Sequence, residues 1–163
     1  MLHYFMLSDS SHLHTIDKEN LGPSIAASLK IKKAMVEIDE FDEEERRVFN
    51  YGHTFGHAIE VISNYAVKHG LAVTLGMHLA NYVSYRLGLI TNECLVYLQS
   101  KLEFNLPDFR VVDVDKYMSI LLKDKKNVDK NLVCILPYGI GDFRVTTVSD
   151  LNAISNIVEG YFH

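Results

Sequence analysis

Residues Phe49–Glu60 read FNYGHTFGHAIE, and this stretch decides how the rest of the chain is to be read. Placed on a helix expected over Glu43–Ile62, Arg46, Asn50, His53, His57 and Glu60 fall within an arc of roughly 80° at 100° per residue. The remaining faces carry Val48, Phe49, Phe55, Ala58, Ile59 and Ile62, so the polar stripe is not the solvated side of an ordinary amphipathic helix. A buried helix is expected. Gly52 and Gly56, four apart, leave a second face nearly bare, where another backbone can approach closely. Buried polar groups without partners cost roughly 1–3 kcal/mol each. A single buried histidine is usually satisfied by a carbonyl, but five polar groups on one stripe call for a bound anion or metal.

His53 and His57 have the i, i+4 spacing with which HExxH metalloproteases hold one zinc. The residue that supplies the base in those enzymes is here Thr54, so a hydrolase of that type lacks its base, although both histidines could still share a metal. His69 opens the next helix after a short turn and is a credible third ligand, because consecutive helices usually pack as neighbours. Catalytic zinc commonly has three protein ligands including a carboxylate. None is evident in the local sequence.

Working outward, Ser24–Glu37 has apolar residues Ile25, Leu29, Ile31, Met35 and Val36 at helical spacing, with Pro23 in the first turn. The acidic run Asp39–Glu45 links this helix to the next or opens it. From His69 the sequence LAVTLGMHLANYVSYRLG is apolar nearly all round and predicts a buried helix ended by Gly88. Helices are also expected over Glu93–Leu102, over Asp115–Leu122 with Asp113 or Asp115 as cap, and to Tyr161 from a cap at Ser149 or Asp150. LVCILPY and DFRVTTV, around Gly139 and Gly141, predict a short hairpin. The expected fold is therefore mainly α, a multi-helical single domain over residues 1–163 with one small β-hairpin.

The 163 residues are 48% hydrophobic, enough for one real core, and the formal net charge of −5 is spread along the chain. No basic stripe suited to nucleic acid is present. The first seven residues are apolar, but they lack a basic lead and a cleavage site, and they are too short to span a membrane. Cys94 and Cys134 sit apart in apolar contexts, as buried free thiols of a cytoplasmic protein do.

The paired segments NYGHTFGHAIE (50–60) and HGLAVTLGM (69–77) resemble the signature of 3-dehydroquinate synthase and its sugar-phosphate cyclase relatives. The resemblance runs on through KKAMVEIDEFDEEERRVFN (32–50), LLKDKKN (121–127) and ILPYGIGDFRV (135–145). It implies the helical C-terminal domain of such an enzyme, whose NAD is bound by a separate Rossmann-like N-terminal domain. By the same resemblance His53 and His69 are ligands of Zn2+ or another divalent metal, and His57 is a proton-transfer and substrate-phosphate contact. Lys32, Arg46, Asn50 and Lys126, or in place of the last Lys125, are substrate-binding residues. Asp42 matches an acidic residue in proton transfer, or is simply a helix N-terminal carboxylate. The implied substrate is a phosphorylated sugar acid. The implied reaction is transient oxidation by NAD, phosphate elimination, reduction, ring opening and aldol closure.

Three departures shape the expectation. No glycine-rich NAD-binding segment is present, and a third metal ligand, a Glu, would align one residue before Met1. His3 stands where the family has a substrate-binding lysine. Leu71 occupies a position that is usually Glu. The chain is thus expected to act only with an N-terminal NAD-binding domain or subunit, and to self-associate as a homo-oligomer through the face such a domain would cover. A divergent cyclase acting on another substrate, such as sedoheptulose 7-phosphate, and a non-catalytic binding or oligomerisation remnant are the rival readings.

Overall fold

A computed structural model describes residues 21–39, 45–123 and 131–163. The order is α1 (Gly22–Ile38), a 3-10 helix (Glu45–Asn50), α2 (His53–Ile62), α3 (His69–Arg86), α4 (Asn92–Ser100), a 3-10 turn (Glu103–Asn105), α5 (Val114–Leu121), β1 (Leu132–Gly139), β2 (Asp142–Val148) and α6 (Leu151–Phe162). This is the expected mainly helical fold, with one antiparallel two-stranded sheet.

The apolar helix α3 is the centre of the core, with Ala72, Leu79, Ala80 and Val83 wholly buried. It packs against α2, α4, α6 and β1. Two buried tyrosines and a threonine tie these elements together around α2. Tyr117 on α5 donates its hydroxyl to the Phe55 carbonyl (3.1 Å), and Thr54 donates to the Val133 carbonyl of β1 (3.5 Å). Tyr51 donates to Asn81 Oδ1 and also lies 3.3 Å from the Met77 carbonyl, both on α3. Burial raises the phenols of Tyr51 and Tyr117 above their ordinary range, so both remain donors.

The continuous helix expected over Glu43–Ile62 is not what forms. A 3-10 helix reaches Asn50, Tyr51 N–H bonds back to Val48 C=O (3.0 Å), and Gly52 adopts φ +79° before α2 begins at His53. The reason is the crossing with α3. A Cβ on Gly52 would stand 2.8 Å from both the Met77 nitrogen and the Val73 oxygen, and one on Gly56 would stand 2.9 Å from the Ala72 oxygen. The bare glycine face is expected to admit a second backbone, and α3 is that backbone. Gly76 contributes the reciprocal gap, facing Gly52 and Gly56.

The first helix inverts its expected faces. Ser24 and Ser28 are its buried residues, while Ile25 and Leu29 are exposed and Ile31, Met35 and Val36 are half-buried. Ser28 satisfies its hydroxyl on the Ile25 carbonyl (2.8 Å). Leu21, Ile25 and Leu29, at four-residue spacing, leave an uncovered apolar stripe.

Helix ends resolve the remaining alternatives. Thr91 caps α4, Asp113 rather than Asp115 caps α5, and Asp150 rather than Ser149 caps α6 through the Ala153 N–H (3.0 Å). Asp150→Ala is expected to lower the unfolding free energy by about 1 kcal/mol in urea titrations, with no change in m-value. After α3, Gly88 (φ +74°) closes the helix as expected. Its N–H bonds Tyr85 C=O and the next N–H, that of Leu89, bonds Ser84 C=O. Among the described residues no helix is long and apolar enough to cross a membrane. Both cysteines are free; Cys134 is buried, its thiol pushed up to about 12, but Cys94 is only half-buried, against expectation.

Candidate metal centre

Three imidazoles meet where α2 and α3 join. Ring centroids are 5.5 Å apart for His53 and His57, 5.5 Å for His53 and His69, and 5.9 Å for His57 and His69. Two imidazoles sharing one tetrahedral zinc at about 2.0–2.1 Å have centroids roughly 5 Å apart. The cluster therefore has the dimensions of a metal centre.

Local geometry brings it about. His53 and His57 stand one turn apart on α2, which begins at the left-handed Gly52. His69 begins α3 after a turn in which Asn64 (φ 51°) and Tyr65 (φ 62°) both take left-handed backbone. A left-handed tyrosine costs roughly 1–2 kcal/mol, and the turn is held by Tyr65 N–H on the Glu60 carbonyl (2.7 Å) and Val67 N–H on Ser63 Oγ (3.4 Å). The result returns His69 to the side of Glu60, whose Oε2 lies 3.1 Å from His69 Nδ1.

Glu60 is the group to which the sequence assigns no role. It belongs to the polar stripe, yet nothing local marks it as the carboxylate that a metal centre calls for. The available signal is its spacing, three residues beyond His57 on the same face. Donor atoms of His57, Glu60 and His69 all lie within 4.8 Å of one another. That grouping includes His57 and omits His53, whereas the family resemblance assigns His53 and His69. The second pair shares one feature of ring environment. His53 Nδ1 is 3.3 Å from the Tyr51 carbonyl and His69 Nδ1 is 3.1 Å from Glu60 Oε2, so both rings have Nδ1 beside an oxygen.

The centre is not the buried pocket that the sequence predicts: His57 and His69 are exposed and His53 half-buried. No described element covers this face. Beside His57 is a cavity of about 390 Å³, lined by Thr54, His57, Ala58, Val61, Ile120, Leu121 and Lys123. Lys123 ends the described part of the charged turn and is not anticipated from the sequence; it places an ammonium on the same cavity as His57.

Asn50 ends the 3-10 helix, half-buried, and the break at Gly52 takes it off the helix that carries the histidines, so the single stripe does not exist as such. Lys32 is exposed on α1 with no hydrogen bond or ion pair to another described residue. Asp42, Lys125, Lys126 and His3, and the side chain of Arg46, lie outside the described residues. Leu71 is half-buried in the first turn of α3.

The comparisons point one way. The family described as 3-dehydroquinate synthase C-terminal matches residues 2–127. The 3-dehydroquinate synthase of Campylobacter fetus is 36% identical over 137 residues, covering 82% of this chain and 40% of that protein. That of Helicobacter hepaticus is 38% identical over 143 residues, covering 85% and 40%. The chain thus spans about two fifths of the length of these relatives. Among solved structures, a 2-deoxy-scyllo-inosose synthase complexed with carbaglucose-6-phosphate, NAD+ and Co2+ superposes with a TM-score of 0.75 at 26% identity, covering 83% of this chain and 39% of that one. The fold is shared also with a 2-epi-5-epi-valiolone synthase from Streptomyces hygroscopicus, solved with NAD+ and Zn2+, at a TM-score of 0.68 and 22% identity, covering 98% and 48%.

Proposed function

The chain belongs to the 3-dehydroquinate synthase C-terminal family, and we propose on that premise that it is the metal- and substrate-binding half of a cytoplasmic sugar-phosphate cyclase, a carbon–oxygen lyase of the shikimate pathway. The observation that carries this reading is the meeting of His53, His57 and His69 with Glu60 at the junction of α2 and α3. His53 and His69 would hold Zn2+ or another divalent metal. When bound, it would polarise the reacting hydroxyl and carbonyl oxygen as a Lewis acid.

The chain's own residues then divide the remaining work. His57, exposed at the edge of the cavity, exchanges protons with the substrate and contacts its phosphate, assisted by Lys123 and Lys126. Arg46, Asn50 and Lys32 orient the substrate's carboxylate and hydroxyls, since charge-assisted bonds fix both anionic ends. Asp42 takes part in proton transfer. NAD is bound by an N-terminal domain or a separate subunit, which packs over the exposed face of the centre. The chain self-associates as a homo-oligomer, and the exposed Leu21, Ile25 and Leu29 offer a further apolar surface for it.

A second reading keeps the chemistry and changes the substrate. Leu71, in place of the usual Glu, and the likeness to a 2-deoxy-scyllo-inosose synthase favour a cyclase acting on another sugar phosphate. The test is reconstitution with the N-terminal part of the Helicobacter hepaticus relative, NAD and zinc. Phosphate release from 3-deoxy-arabino-heptulosonate 7-phosphate is expected only when both halves are present, and the 163-residue chain alone is expected to be inactive. Release from sedoheptulose 7-phosphate instead would select the second reading. Release from neither, with the two halves stably associated, would leave a non-catalytic binding module.

A further inference from the structure

Glu60 has two features that a solvated surface carboxylate lacks. Its side chain is 15% exposed against 59% for His69, so the carboxylate is the fixed member of the pair. Its own carbonyl accepts from Tyr65 N–H (2.7 Å) and Ser63 Oγ (3.0 Å), which anchors the backbone from which the side chain extends. Among the described residues the carboxylate has no side-chain partner other than His69.

The two histidines assigned to the metal are treated alike. His53 Nδ1 faces the Tyr51 carbonyl at 3.3 Å and His69 Nδ1 faces Glu60 Oε2 at 3.1 Å, while the rings stand 5.5 Å apart. An acceptor at Nδ1 retains the proton there, which puts the ring's lone pair on Nε2, and it also fixes the ring plane. His69 needs this more than His53 does. It is exposed, it is the first residue of its helix, and the turn before it runs through two left-handed residues.

We propose that Glu60 is the positioning residue of this centre: its carboxylate accepts the Nδ1–H of His69, selects the tautomer with a free Nε2 and holds that nitrogen for the metal. The inference rests on the metal reading above and adds that Glu60 acts through His69 rather than as a ligand. No bond is made or broken; the proton stays on Nδ1.

The experiment compares Co2+ binding by the 163-residue chain and its Glu60→Gln, Glu60→Ala and His69→Ala variants, using visible absorption and calorimetry. Folding is checked by circular dichroism. An amide oxygen still accepts the Nδ1–H bond but is a poor metal ligand. Glu60→Ala is therefore expected to weaken binding about 10–100-fold, and Glu60→Gln to restore most of it without altering the cobalt spectrum. In nitrogen-15 spectra of the metal-free chain, His69 is expected as the Nδ1–H tautomer in the wild type and in the Glu60→Gln variant, and as a mixture after Glu60→Ala. Equal losses in the Gln and Ala variants with a changed cobalt spectrum would make Glu60 a ligand and overturn the proposal. So would wild-type affinity in Glu60→Ala. Absence of binding in the wild-type chain, also with the N-terminal part of the Helicobacter hepaticus relative added, would instead contradict the metal reading, so the two failures are distinguishable.

Discussion

Replacing Gly76 by alanine is expected to lower the unfolding free energy by about 3 kcal/mol, which for a chain of this size is a fall of roughly 10 °C in Tm. A Cβ at position 76 would run into the Gly52 oxygen and stand 2.6 Å from the Gly56 nitrogen and 3.0 Å from the Gly56 α-carbon. All three are backbone atoms, so no side-chain rotation relieves the clash and α2 must move off α3. That displacement also separates His53 and His57 from His69, so metal binding should fall together with stability. Gly70→Ala is the control. Nothing lies within 4 Å of a Cβ there, and alanine is the better helix former by roughly 1 kcal/mol. Urea unfolding of the two variants should therefore shift in opposite directions; equal stability of wild type and Gly76→Ala would mean that the helices do not cross as described.

The second large effect is expected from the histidines taken one at a time. His53→Ala and His69→Ala should each reduce divalent-metal affinity by at least about 100-fold, since a two-histidine centre loses half of its ligands from this chain. His57→Ala should leave affinity within a few-fold, yet remove phosphate release in the reconstituted enzyme. The contrast matters because His57, not His53, has donor atoms near those of Glu60 and His69. Helical spacing alone also pairs His53 with His57. Against both stands the engagement of Nδ1 in His53 and His69 by an acceptor. Loss of metal in His57→Ala with retention in His53→Ala would reverse the assignment.

Much of this architecture is legible in the sequence because it depends on local signals. The apolar period of 69–86, the Gly88 stop, the hairpin around Gly141 and the aspartate caps of α5 and α6 are each decided within a few residues. What is not legible is long-range. Gly52 looks like a helix-interior glycine until Met77 and Val73 are seen against it, and only then does the break before His53 become necessary. The buried face of α1 is hidden as well: Ser24 and Ser28 are buried where Ile25 and Leu29 are exposed, and no apolar periodicity records that. In the sequence Glu60 is one member of a stripe. Its partner is nine residues on, across a turn through left-handed Asn64 and Tyr65 that hydrophobic patterning does not predict. The pairing of His53 with His69 comes from family resemblance, not from spacing.

The most direct test of the metal centre is a titration of the 163-residue chain with Co2+, followed by visible absorption and by metal analysis after gel filtration. One equivalent bound, with the spectrum lost in both His53→Ala and His69→Ala and kept in His57→Ala, is the predicted result. Binding of no more than a trace of metal by the folded wild-type chain even with the N-terminal part of the Helicobacter hepaticus relative added, or binding indifferent to both substitutions, would contradict it.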